Sequence, residues 1–183
     1  MEHVEPTNAA RANKQLGIPL KERKWVISAL VLTAAVICSG LWSILHMTSA
    51  EWHSRSFTFT MKNYGSNARL ALFFVLANYV LLFVIRKRWL AALQKLLVPL
   101  AAFARKWHTP IAILAIGLIV LHAVAALLGD FKLDFHNLTG LLALLSLLPV
   151  PVSGLFRYRR LDRKWHLRSG LAFAVLFLIH AFL

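Results

Sequence analysis

Five apolar runs, separated by polar or basic stretches, organise the chain. The first, WVISALVLTAAVICSGLWSILH, covers residues 25–46. As a helix it is long enough to cross a hydrocarbon core of ~30 Å. The second covers about residues 70–85, with Asn78 and Tyr79 near its middle, where they are expected to hydrogen-bond to a neighbouring helix. Residues 47–68, which carry Glu51, His53, Arg55 and Lys62, read as a loop between these two. The remaining runs cover residues 108–128, 136–156 and 166–183, and Pro149 and Pro151 should break or kink the last turns of the fourth. Between the second and third, residues 86–107 are strongly basic. Leu93, Leu96, Leu97, Leu100 and Phe103 recur there at helical spacing, with Gln94 and Lys95 on the other side. That pattern predicts an amphipathic helix lying at the membrane interface. Pro110 suits a first helical turn, so the third span is expected to start near Trp107. The expected fold is all-α: an integral membrane bundle of five transmembrane helices plus one interfacial helix. A polar tail of residues 1–24, with no signal peptide expected, precedes a single transmembrane domain of residues 25–183.

Composition supports the membrane. Hydrophobic residues make up 59% of the 183, and mean hydropathy is +0.65; soluble domains use roughly 45–50% apolar residues. The net charge of +14 would suggest nucleic acid in a soluble protein. Here the cations cluster between apolar runs, which is the mark of membrane topology. The tail, residues 86–106 and residues 157–168 are rich in Lys and Arg, whereas residues 47–68 and 130–135 are poor in them. With five spans this alternation predicts a cytoplasmic N-terminus and an extracytoplasmic C-terminus; the membrane is expected to be a bacterial-type cytoplasmic one. Cys38 is the sole cysteine, fits no disulfide or metal spacing, and is expected to be a small packing residue. No C-x-x-C-H occurs, so a haem could only be held without thioether bonds.

Four of the eight histidines form a pattern. The tetrapeptide RKWH begins the third run, and His122 follows His108 by fourteen residues. RKWH also begins the fifth run, where His180 follows His166 by the same interval. Fourteen residues are just under four helical turns, so each pair falls within about 40° on one face and about 21 Å apart along the axis. Intramembrane histidines are costly and tend to be functional. If the two helices face each other, His108 opposes His166 on the cytoplasmic side and His122 opposes His180 on the outer side. Each opposed pair could supply both axial imidazoles of a haem iron, leaving no open position. His46 and His53 read as interfacial. His136, at the outer start of the fourth run, is expected to bond a haem propionate or to be interfacial. Arg105, Lys106, Arg163, Lys164 and Arg168 flank the inner histidines and could pair with propionates, although the positive-inside bias explains them too. Gly117 and Gly170 could let a flat macrocycle approach the backbone, or could serve helix packing.

RKWHTPIAILAIGLIVLH and RKWHLRSGLAFAVLFLIH resemble the haem-binding helices of ferric-reductase-like transmembrane domains. That superfamily includes NADPH oxidases, iron reductases and the haem subunit of the bacterial periplasmic methionine sulfoxide reductase. The resemblance covers roughly residues 70–183. It implies two haem b groups and electron flow from a cytoplasmic donor to an extracytoplasmic acceptor. The chain ends three residues after His180 and has no G-x-G-x-x-G, so a separate donor is expected, either a flavoprotein or the quinone pool. The chain then reads as the electron-transfer subunit of an oxidoreductase, with no catalytic residue of its own. One alternative is a quinol-oxidising di-haem cytochrome, with quinone near residues 149–154 or Asn78. Another is a histidine-based metal or proton transporter. Against the transporter, Glu51, Asp130, Asp134 and Asp162 all fall in loops, leaving a cation path without carboxylates.

Overall fold

The computed structural model describes residues 20–129, 131–156 and 163–183. The expectations for residues 1–19, for Asp130 and for residues 157–162 lie outside the described residues, as does the side chain of Arg163. Among the described residues every regular element is helical. They are α1 (Leu20–Leu45), α2 (Ser49–Trp52), α3 (Arg55–Lys87), a 3₁₀ turn (Ala91–Leu93), α4 (Gln94–Leu128), α5 (Phe135–Leu147), α6 (Pro149–Phe156) and α7 (Arg163–Phe182). Five helical stretches are long and apolar enough to cross a bilayer: Glu22–Leu45, Arg55–Lys87, Gln94–Leu128, Phe135–Gly154 and Lys164–Phe182. The all-α, five-span expectation therefore holds.

Three local expectations do not. Residues 47–68 are not a loop, because α3 already begins at Arg55. Residues 86–107 do not form a separate interfacial helix: Arg86 and Lys87 close α3, and Gln94 onward is the first part of α4. The third span likewise starts well before Trp107, with Pro99 and Pro110 both inside the helix. The reason is common to all three. Polarity ends an apolar run but does not end a helix; only lost hydrogen bonds or strained backbone do so. α3 and α4, at 33 and 35 residues, extend about 50 Å, well beyond a hydrocarbon core of ~30 Å. The chain turns between them through Arg88, whose φ of 53° is left-handed. Prolines removed single donors inside α4 without stopping it; Pro110 leaves the Lys106 carbonyl without its helical N–H.

The described residues divide into two compact units, one of residues 24–132 and one of residues 133–183 with residues 20–23. In the first, α3 packs along α4. α1 meets α4 through close contacts at small residues. A Cβ on Gly117 would stand 2.5 Å from the Thr33 Cγ2, and one on Gly40 would stand 2.7 Å from the Leu121 side chain. Gly117 thus serves helix packing. Ile44, Phe57, Leu121 and Ala125 form a buried cluster. Trp52 lies against it and donates its indole N–H to the Ile44 carbonyl at 2.9 Å. In lipid such fit, rather than exclusion of water, holds helices together. Two other expectations fail in this unit. Cys38 is exposed, not packed. The Asn78 Oδ1 is buried without a hydrogen bond among the described residues.

In the second unit α5 and α6 both pack on α7. Asp134 caps α5 by accepting from the Asn137 N–H at 2.8 Å. Thr139, Ala143 and Leu147, four residues apart, form the buried stripe of α5. The helix breaks at Leu148, next to Pro149, as the two prolines foretell. Phe173, Ala174 and Phe177 are buried on α7.

The turn from α1 to α3 is held by a capping box. The Thr48 N–H and hydroxyl donate to the Glu51 carboxylate at 2.6 and 2.8 Å, and the Glu51 N–H donates to the Thr48 Oγ1 at 3.4 Å. The main-chain bond first, and the hydroxyl second, hold the Glu51 carboxyl below the usual carboxylate range. A lowered folded value means that the cap acts fully above the unfolded value and is lost as pH falls through the folded one. Thr48→Ala keeps the main-chain donor and loses the hydroxyl. It should raise the Glu51 pKa part of the way back, as read by a carbon-13 carboxyl titration in micelles.

Candidate functional site

His108 and His122 lie on one continuous helix, α4, and His166 and His180 on another, α7. Both members of each pair therefore lie on a single helix, as the spacing requires. His122, His166 and His180 are half-buried, and each reaches a main-chain carbonyl of a neighbouring helix. The His122 Nδ1 lies 3.0 Å from the Met61 carbonyl on α3. The His166 Nδ1 lies 3.1 Å from the Val150 carbonyl on α6. The His180 Nδ1 lies 3.0 Å from the His136 carbonyl on α5. A carbonyl only accepts, so each Nδ1 carries the proton and, in the neutral ring, Nε2 keeps the lone pair.

A glycine follows each accepting residue by one helical turn. Gly65 follows Met61, Gly140 follows His136 and Gly154 follows Val150. The imidazoles rest on these glycines. A Cβ on Gly65 would come within 2.9 Å of the His122 ring, and one on Gly140 within 2.8 Å of the His180 ring. At Gly154 the same Cβ would stand 3.5 Å from the His166 ring, an ordinary contact. Here the Ser153 hydroxyl joins the site. It donates to the Val150 carbonyl at 2.9 Å and lies 3.2 Å from the His166 Nδ1, from which it accepts.

The other histidines behave differently. The Nδ1 of His46 donates to the Trp42 carbonyl at 2.8 Å, and that of His53 to the Ser49 carbonyl at 2.7 Å. Both partners lie four residues back in the same chain segment, so these rings satisfy themselves locally, as interfacial residues do. His136 is exposed at the start of α5, and its ring stands 4.3 Å from that of His180.

The basic candidates occupy the first part of α4 and the start of α7. Arg105, Lys106, Lys164 and Arg168 are exposed. Lys106 lies over the rings of Trp25 and Trp107, at 5.9 and 5.8 Å. Arg163 is the first residue of α7. Residues 149–154, one sequence candidate for quinone, hold the carbonyl and hydroxyl engaged by His166.

Imidazoles whose Nδ1 is bonded to a main-chain carbonyl have the donor chemistry that haem iron takes. Ligating histidines ordinarily give their second ring N–H to a carbonyl or carboxylate, which fixes tautomer and orientation. Glycines that a Cβ would turn into obstacles let the rings settle against the main chain. Among the described residues no three of His, Cys, Asp or Glu gather as a bare metal-ion site.

Gly65 and Gly140 were not singled out from the sequence, and Ser153 and Gly154 entered only as part of the 149–154 quinone candidate. A signal did exist: Gly140 and Gly154 are fourteen residues apart, the interval of His180 and His166 on the helix packed against them. No family model, curated protein or solved structure matches the chain.

Gly65→Ala and Gly140→Ala should each push the adjacent imidazole off its carbonyl, at a cost of about 1 kcal/mol for the hydrogen bond. Gly154→Ala should leave His166 in place. Long-range proton–nitrogen-15 spectra of the rings should show the Nδ1–H tautomer weakened at His122 and His180 and retained at His166.

Proposed function

We propose that this chain is a transmembrane electron carrier of the b type, in which His108, His122, His166 and His180 hold two haems. On this reading His108 and His166 share the inner iron, and His122 and His180 the outer one. The observation that carries it is the threefold pairing of an imidazole Nδ1–H with a carbonyl on a neighbouring helix, one turn from a glycine. The duplicated RKWH-x13-H spacing and the resemblance to ferric-reductase-like domains point the same way.

Haem held by two imidazoles supplies one-electron iron chemistry with no open position for oxygen. The chain's own part is to hold the ligands. The carbonyls of Met61, Val150 and His136 keep the proton on Nδ1, so that Nε2 is the nitrogen left to coordinate. Fixing the rings in advance lowers the rearrangement on each change of iron charge. Arg105, Lys106, Arg163, Lys164 and Arg168 offer cations to propionate carboxylates at the inner end. Lys and Arg placement supports a cytoplasmic N-terminus and an extracytoplasmic C-terminus. Electrons would then pass from a cytoplasmic-side flavoprotein or quinol to an outer acceptor, with the chain as the haem subunit of a reductase.

Purified protein should be red, with dithionite-reduced b-type bands and about two haems per chain by pyridine haemochrome. A colourless preparation from haem-replete cells overturns the proposal in favour of a metal or proton transporter. His122→Ala should remove about one of the two haems, leaving the spectrum of the other.

A further inference from the structure

We infer that His136 is a positioning residue for the outer haem, clamping the ligand His180 from two sides; this rests on the di-haem reading. Its carbonyl takes the His180 Nδ1–H at 3.0 Å. Its own imidazole lies against the His180 ring, with centroids 4.3 Å apart and planes 31° apart. Behind the ligand, Gly140 closes the space to 2.8 Å for any added Cβ. The His180 ring is thereby held by a hydrogen bond at one nitrogen, by a glycine and by an aromatic face.

The His136 carbonyl also accepts from the Thr139 hydroxyl at 2.8 Å, a local bond for which the His136 ring is not needed. His136 sits in the first turn of α5, where Asp134 already supplies the cap through the Asn137 N–H. The imidazole of His136 is exposed, so burial does not hold it in place. His122, the other expected ligand of that iron, likewise has a carbonyl at Nδ1 and a glycine beneath its ring. A ring packed this close, although tilted, restricts rotation of a ligand about its Cβ–Cγ bond. The plane of an axial imidazole, relative to its partner's, sets the g values of a ferric bis-imidazole haem and contributes to its potential. His136 is thus placed to fix the plane of His180 without touching iron.

The test compares wild type, His136→Ala and His136→Phe as full chains in nanodiscs, by low-temperature EPR of the oxidised protein. His122→Ala identifies which signal belongs to the outer haem. All three His136 forms keep the main-chain carbonyl, so only the ring changes. Ala should lose the wild-type outer signal to one at a shifted low-field g value, with the inner signal unmoved. Phe, which keeps a flat face and no ring nitrogen, should restore it. An unshifted outer signal in Ala, failure of Phe to restore it, or equal movement of both signals overturns the assignment. A wild-type chain without haem overturns the reading beneath it instead.

Discussion

A helix carbonyl is normally spoken for by the N–H one turn ahead, and an imidazole from a neighbouring helix can share it where no side chain stands in its way. That constraint governs the site described here. His122, His166 and His180 all give Nδ1–H to such a carbonyl, and all do so beside a glycine one turn further along. The same glycines lie on α3, α5 and α6, the helices that pack on α4 and α7. Helix packing and imidazole orientation thus meet along the same helix faces. The Pro149 break between α5 and α6 belongs to this arrangement, since Val150 and Ser153 lie just beyond the break and face His166.

Much of this was legible in the sequence, and the misses share a cause. Apolar runs located five spans because lipid accepts only helices that satisfy their own backbone. The histidine spacing located two pairs because a straight helix converts interval into angle and depth. Helix ends were misplaced at Arg55 and Gln94 because the change from apolar to polar marks a change of surroundings, not a break in hydrogen bonding. Pro110 read as a helix start because proline suits a first turn; in α4 it stands sixteen residues in, buried and tolerated.

The supporting atoms escaped for a different reason. A search for hydrogen-bond partners looks for polar side chains, and these partners are main chain. Met61 and Val150 are apolar, yet they are acceptors here. His136 drew notice for its ring, while its carbonyl holds His180. Gly117, which the sequence left open to a macrocycle or to helix packing, admits Thr33. Only pairing two helices in space separates a glycine that accommodates a neighbouring helix from one that accommodates an imidazole.

Where the gripped atoms are backbone, the inherited quantity is helix phase rather than residue identity. Side chains at positions 61 and 150 can drift without altering what the imidazoles meet. Loss of one residue from α3 between Met61 and its contacts would turn the helix by about 100° and carry the acceptor away. Evolution along this chain should thus tolerate exchange of letters at those points far better than a change in their number.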